Sequence, residues 1–267
     1  MTLDWAFFYG FIQGVTEFLP ISSSGHLALI PFFFTLKDPG VLFDLMMHLG
    51  TALAVILYFR AKVLKIVKDS IALIFKRDLE NTIFTQHFLL ATGCSFVLIL
   101  FIKNLALEYG RNPIIIALNF IVFGFLMYWA DRKAEKDYDL KKEKHFKFAA
   151  LIGLSQSLAV FPGVSRSGIT LTSSRFMNMS RYQASEFSFL LSLPVILGSI
   201  LFKLPDIIQG EAIAVETSVM VWGVLFSFMF GILTIHFFLK IIARVGLIYF
   251  SLYRLLIGAL LLYLSLS

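Results

Sequence analysis

Residues 3–34 read LDWAFFYGFIQGVTEFLPISSSGHLALIPFFF, and the interruption in the middle of this stretch decides the fold. About 16 largely apolar residues lead to Pro20, the hydroxyl-rich stretch Ile21-Ser22-Ser23-Ser24-Gly25-His26 follows, and only about ten apolar residues resume. Neither arm reaches the roughly 20 residues that a helix rising about 1.5 Å per residue needs to cross about 30 Å of hydrocarbon. Proline forbids continuation of the helix ladder, and the small polar turn exposes backbone groups that lipid cannot satisfy. The expectation is a re-entrant helix-turn-helix hairpin whose polar tip is buried in protein. Residues 146–176 repeat this pattern around Pro162-Gly163-Val164-Ser165-Arg166-Ser167-Gly168. At one constant offset, Gly10, Gln13, Phe18, Ser22, Ser24 and Gly25 align without a gap with Gly153, Gln156, Phe161, Ser165, Ser167 and Gly168.

Outward from the hairpins the chain is a membrane protein. It is 58% hydrophobic with 30 Phe among 267 residues and only 15% charged, against about 25% charged in ordinary soluble domains. Apolar runs at 42–59, 87–106, 113–130, 185–202, 217–239 and 247–266 are long enough for spanning helices and lack the alternation of barrel strands. Three such runs follow each hairpin. Arg60, Lys62, Lys65, Lys68, Lys76 and Arg77 fall in one connection, and the Lys and Arg residues of 131–147 in another, which places both on the cytoplasmic side. The acidic connection 203–216 suits the outside. The first hairpin then enters from outside and the second from inside.

The expected fold is an all-α integral membrane protein built as an inverted-topology repeat. Each half is a re-entrant helix hairpin plus three transmembrane helices, giving six spanning helices and two re-entrant pairs. The whole chain, 1–267, is one membrane domain, with internal repeats of approximately 3–130 and 146–266. The net charge of +6 reads as topology, so no nucleic acid partner is expected. The single Cys94 allows no internal disulfide, and Asp4 with no basic leader argues against a cleavable signal peptide.

Ionisable side chains at membrane depth are costly and are functional candidates by default. Here they are Glu17, Asp44, His48, Arg166, Glu186, His236 and Arg254, with His26 in the first turn. Gln13 and Glu17, four apart, project from one helical face. Arg166 lies among Ser165, Ser167 and Thr170 at a helix start, which makes an anion site suited to phosphate. Glu17 with Gln13 offers oxygen ligands to a divalent cation, His26 a base or nucleophile, and Ser22, Ser23 and Ser24 donors or attacking groups. Together they describe metal-assisted phosphoryl transfer.

The stretch from Gln13 to His26 and the stretch from Phe161 to Thr170 resemble the two signature motifs of the BacA-type undecaprenyl-diphosphatase family. The resemblance extends through Phe43-Asp44, His48-Leu49-Gly50-Thr51 and Ala184-Ser185-Glu186-Phe187-Ser188-Phe189-Leu190. It implies hydrolysis of undecaprenyl diphosphate to undecaprenyl phosphate and inorganic phosphate, recycling of the cell-wall carrier lipid in the inner (plasma) membrane, and a link to bacitracin resistance. By the same resemblance Glu17 is the essential acid, Ser23 and His26 are the nucleophile and proton-transfer group, and Arg166 with Ser165 and Thr170 binds phosphate. The cofactor implied is a divalent metal cation, Mg²⁺ or Ca²⁺. Glutamine at position 13 removes one anionic ligand.

Other polar residues have plainer readings. Gly10 and Gly14 suit a close helix contact. Asp44 and His48 share a helix face and can ligate metal, but the structural reading is preferred. Glu186 and Arg254 are expected to pair, and His236 to be structural or interfacial. The alternative function is a flippase or transporter of a polyprenyl phosphate lipid, because inverted repeats with broken helices also build alternating access. The sequence leaves the oligomeric state open, a homodimer included.

Overall fold

The computed structural model describes residues 2–34, 40–75, 81–109, 112–134, 139–140, 145–208 and 216–266, and among them every regular element is helical. The first hairpin is α1 (Leu3–Thr16) and α2 (Ser23–Phe34), followed by α3 (Val41–Tyr58), α4 (Arg60–Ile74), α5 (Ile83–Tyr109) and α6 (Pro113–Lys133). The second is α7 (Phe146–Ser157), a 3₁₀ turn at Leu158–Val160, and α8 (Arg166–Phe176), followed by α9 (Arg181–Ile208), α10 (Thr217–Val245) and α11 (Ile248–Leu266). Helices α5, α6, α9, α10 and α11 are long and apolar enough to cross a membrane. Helix α3 carries the remaining apolar run and is bent by 86° from α4, and the pair counts as a sixth candidate span only when its two helices are taken together. The six apolar runs of the sequence lie in these six helices, and the chain is a multi-pass membrane protein.

Local chemistry sets the breaks. Ser22 accepts a hydrogen bond on Oγ from Gly25 N at 3.3 Å, and Ser165 caps α8 by accepting from Gly168 N at 3.1 Å. These two aligned serines have positive φ, 74° and 71°, a conformation that side chains rarely adopt unless the surroundings enforce it. What enforces it is contact between the tips. Gly163 N donates to Ser22 Oγ at 3.1 Å, and Ser167 Oγ donates to Leu19 O at 3.1 Å.

The first arm of each hairpin packs on a helix of the other half, α1 along α10 and α7 along α5, while α6 packs on α11 and α3 on α9. A Cβ on Gly10 would sit 2.6 Å from Phe226 Cβ, and one on Gly14 2.6 Å from Phe230 Cβ, both on α10. The close contact expected of these glycines is therefore present. Their counterpart Gly153 lies against Ala91 of α5, where a Cβ would come within 2.2 Å of the carbonyl oxygen. Phe18, Phe187, Phe189 and Phe238 fill the largest buried cluster, whereas Phe101, Leu107 and Leu256 point outward, as lipid-facing surfaces should.

Two expectations need correction. Glu186 does not pair with Arg254: its carboxylate holds Lys62 of α4, and Arg254 donates to the carbonyls of Pro20, Asn119, Gly163 and Val164. The reason is register, since Glu186 lies near the start of α9 and Arg254 in the middle of α11 beside the tips. The connection after residue 59 is also not all loop, because 60–74 is helical. The ion cluster that ties the helix ends lies instead at Asp131, whose carboxylate accepts from Arg175 at 3.0 Å, Arg181 at 2.8 Å and Leu247 N at 3.0 Å. His236 is exposed, with Nδ1 3.3 Å from the Tyr58 hydroxyl. Lys37, Lys76, Arg77, Arg111, the lysines of 135–144 and the acid Glu211 of the 203–216 connection lie outside the described residues.

Candidate active site at the hairpin tips

Glu17 is the residue on which the two tips converge. It follows the last turn of α1, and its buried carboxylate is contacted from three elements. From its own hairpin, Gln13 Nε2 donates to Oε2 at 2.9 Å and the Ser23 hydroxyl donates to the same oxygen. From the second hairpin, Arg166 Nη2 donates to Oε1. From α3, His48 Nε2 stands 3.4 Å from Oε2. The sequence reading of His48 as structural missed this. Its Nδ1 bonds to the Asp44 carbonyl at 2.7 Å, which fixes the ring so that Nε2 faces the carboxylate.

Glu17, Ser23, Ser24, His48, Gln156, Ser165, Arg166 and Ser167 line one cavity of about 170 Å³, with Leu45, Ile99, Val195 and Ile196 among its apolar walls. Arg166 opens α8, so its cation sits where the free amides of a helix N-terminus also point. Of the five N–H donors of a guanidinium, one is directed at Glu17. The cavity therefore joins a hydroxyl held on a carboxylate to a cationic anion cradle. That pairing suits attack on a phosphorus atom.

Over residues 6–260 the chain matches the family described as Bacitracin resistance protein BacA. The chain belongs to the BacA family. A curated relative from Stutzerimonas stutzeri (strain A1501), undecaprenyl-diphosphatase 2, is 40% identical over 254 residues, which is 94% of each chain. The resemblance seen in the two motifs thus extends across the fold.

Several predicted site residues stand elsewhere in this BacA-family structure. His26 does not line the Glu17 cavity. Its Nδ1 donates to Ser22 O at 2.7 Å, its Nε2 lies 2.6 Å from the Tyr253 hydroxyl, and it borders a separate apolar cavity with Leu29 and Ile257. Ser22 does not line the Glu17 cavity either, because its hydroxyl is spent between the two tips. Thr170 is fully buried, bonded to Arg166 O at 2.8 Å and to Ser188 Oγ at 2.5 Å, and supports Arg166 from beneath.

Two residues hold the tips in place, Asn119, which the sequence reading missed, and Arg254, which it singled out but gave the wrong partner. Asn119 of α6 donates to Pro162 O at 2.9 Å. Arg254 is fully buried and bridges carbonyls of the first tip, the second tip and α6. Gln156, used in the sequence only as an alignment mark, proves to line the cavity, its Nε2 donating to Ser95 Oγ at 2.9 Å.

Among the described residues no three His, Cys, Asp or Glu side chains converge as a metal cage. Of the expected pair, Glu17 lines the cavity and Gln13 does not: Gln13 turns its amide nitrogen to Glu17, and its Oε1 is buried without a hydrogen-bond partner. A single carboxylate with neutral oxygens suits an Mg²⁺ ion that shares its shell with substrate phosphates, and suits less well the six to eight protein oxygens that Ca²⁺ favours.

Proposed function

We propose that this chain is a membrane phosphatase of the inner membrane that hydrolyses undecaprenyl diphosphate to undecaprenyl phosphate and inorganic phosphate, recycling the cell-wall carrier lipid. The observation that carries this reading is the Ser23 hydroxyl donating to Glu17 beside Arg166. Membership of the BacA family and the similarity to undecaprenyl-diphosphatase 2 support the substrate. The cavity of about 170 Å³ is smaller than the roughly 300–1,000 Å³ of a pocket that encloses a drug-sized ligand. It takes the diphosphate headgroup, and the prenyl tail stays in lipid between helices.

Ser23 Oγ attacks the terminal phosphorus while its proton passes to Glu17 Oε2. The bond from that phosphorus to the bridging oxygen breaks, undecaprenyl phosphate leaves, and a phosphoserine remains. Glu17 hands that proton to the departing phosphate and then takes one from water, whose oxygen attacks the phosphoserine; the Ser23–phosphorus bond breaks, Ser23 Oγ recovers the proton from Glu17, and inorganic phosphate is released. Arg166 and the α8 N-terminus hold the equatorial oxygens throughout, a role worth about 10²–10³ in rate when one donor is lost. Ser24, Ser165 and Ser167 complete the cradle. A divalent cation held by Glu17 would neutralise the diphosphate charge, with Gln13 supporting the carboxylate through its Nε2 hydrogen bond.

The test is phosphate release from undecaprenyl diphosphate by purified protein in detergent with Mg²⁺ or Ca²⁺. Arg166→Ala should lower turnover at least a hundredfold while leaving the protein folded. A phosphorylated intermediate should map to Ser23. No phosphate release with either ion would end the hydrolase reading and leave lipid transport.

A further inference from the structure

Helix α4 has no part in the chemistry, yet its surface is divided in a way that soluble loops are not. Its buried side is anchored: Ile66 is enclosed, Val63 packs on the main core, and Lys62 reaches Glu186 on α9. A second side carries Leu64, Val67, Ile71 and Ile74, all exposed and recurring at i, i+3, i+7 and i+10, which makes one continuous apolar stripe. Beside it lie the exposed Lys65 and Lys68, while Arg60 heads the stripe at the helix start, one turn before Leu64, where α4 meets α3. Lys65 is held by Asp69 at 2.9 Å, while Arg60 and Lys68 form no ion pair among the described residues.

The angle settles where such a helix can lie. Helix α3 has 18 residues, roughly 27 Å of rise, so it needs nearly its full length to cross the hydrocarbon. A helix bent 86° from it runs close to the membrane plane at the face where α3 ends. Four cations in 15 residues exclude α4 from the hydrocarbon itself, and its stripe of large aliphatic side chains is unsuited to open water. An amphipathic helix lying in the plane, apolar side down and basic side among headgroups, satisfies both.

We propose that α4 is an interfacial helix that docks on the bilayer surface at the end of α3, and that Arg60 and Lys68 bind the phosphates of anionic glycerophospholipids there. By the placement of Lys and Arg this is the cytoplasmic leaflet. The surface is distinct from the Glu17 cavity, and it makes the lipid composition of that leaflet a ligand of the protein.

Two experiments on the full chain test this. Spin labels are placed one at a time at 64, 67, 71, 65 and 68 in a Cys94→Ala background and reconstituted in phosphatidylglycerol–phosphatidylcholine vesicles. Labels at 64, 67 and 71 should be relaxed by oxygen, and those at 65 and 68 by a water-soluble nickel complex. Nickel access at 64, 67 and 71 would place the stripe in water, and access to neither reagent would mean that another protein or a second copy covers it. Each result overturns the docking. In the second experiment, native mass spectrometry measures binding of phosphatidylglycerol and phosphatidylcholine to the protein in neutral detergent. Phosphatidylglycerol should bind more tightly, and its advantage should fall by about fivefold for each cation removed in Arg60→Gln and Lys68→Gln. Unchanged phosphate release in detergent serves as the folding control. An equal lipid preference in the double variant and the parent would overturn the anionic-lipid site.

Discussion

Replacing Arg254 by methionine should separate the two hairpin tips without touching any group that meets substrate. The guanidinium is fully buried and donates to Gly163 O at 2.8 Å, Val164 O at 3.0 Å and Asn119 O at 3.2 Å, with a longer contact to Pro20 O at 3.4 Å. Methionine fills much of the volume but leaves those carbonyls without a donor. Hydrogen bonds to a charged group contribute about 1.5–3 kcal/mol each, and removing the cation also relieves its own burial cost. Breaking such a buried cluster nets roughly 3–5 kcal/mol, a large part of the 5–15 kcal/mol that holds a typical domain. At about 2–4 °C per kcal/mol for a chain of this size, the melting temperature in detergent should drop by about 10 °C. Phosphate release measured well below that melting temperature should still fall more than tenfold, because Glu17 and Arg166 sit on opposite tips. Arg254→Lys keeps the charge but not the planar fork and should fall between. A methionine variant with parental melting and turnover would refute the claim that this arginine clasps the tips. A lysine variant equal to the parent would show that the charge suffices without the fork.

Glu17→Gln keeps a hydrogen-bonding side chain but loses the base, so phosphate release should fall by about 10²–10⁴ in protein that remains folded; a variant retaining a tenth of parental activity would remove Glu17 from the chemistry. Gly14→Leu forces side-chain atoms into Phe230 and Ser227 of α10 and should cost about 1–3 kcal/mol or more, read as a lowered melting temperature. Lys62→Glu and Glu186→Lys should each destabilise slightly and the double exchange should restore stability. The lysine is partly exposed, so the pair contributes no more than about 1 kcal/mol. Chelation by EDTA should stop phosphate release and added Mg²⁺ restore it. Full activity in EDTA would remove the cation from the proposal.

The sequence by itself determined the parts of this protein that depend on local chemistry and on the solvent. Its apolar runs are the spanning helices, because lipid leaves a backbone no other partners. Pro20 and Pro162 with their hydroxyl-rich turns mark the broken elements, and the gap-free alignment of the hairpins anticipates Ser22 and Ser165 sharing a positive φ. Glu17 and Arg166 stood out for the cost of burying them, and Ser23 through its hydroxyl-rich turn and the resemblance of its motif. Only the tertiary structure decided which partner each buried group has. Register between helices distant in sequence turned His48 toward Glu17, gave Glu186 to Lys62, and sent Arg254 to the carbonyls of both tips. It also turned His26 to Tyr253 and out of the cavity that the motif implied. A motif specifies residue types along one strand of chain, whereas the facing of a side chain depends on helix rotation and on which neighbour satisfies it, and these are properties of the packed whole.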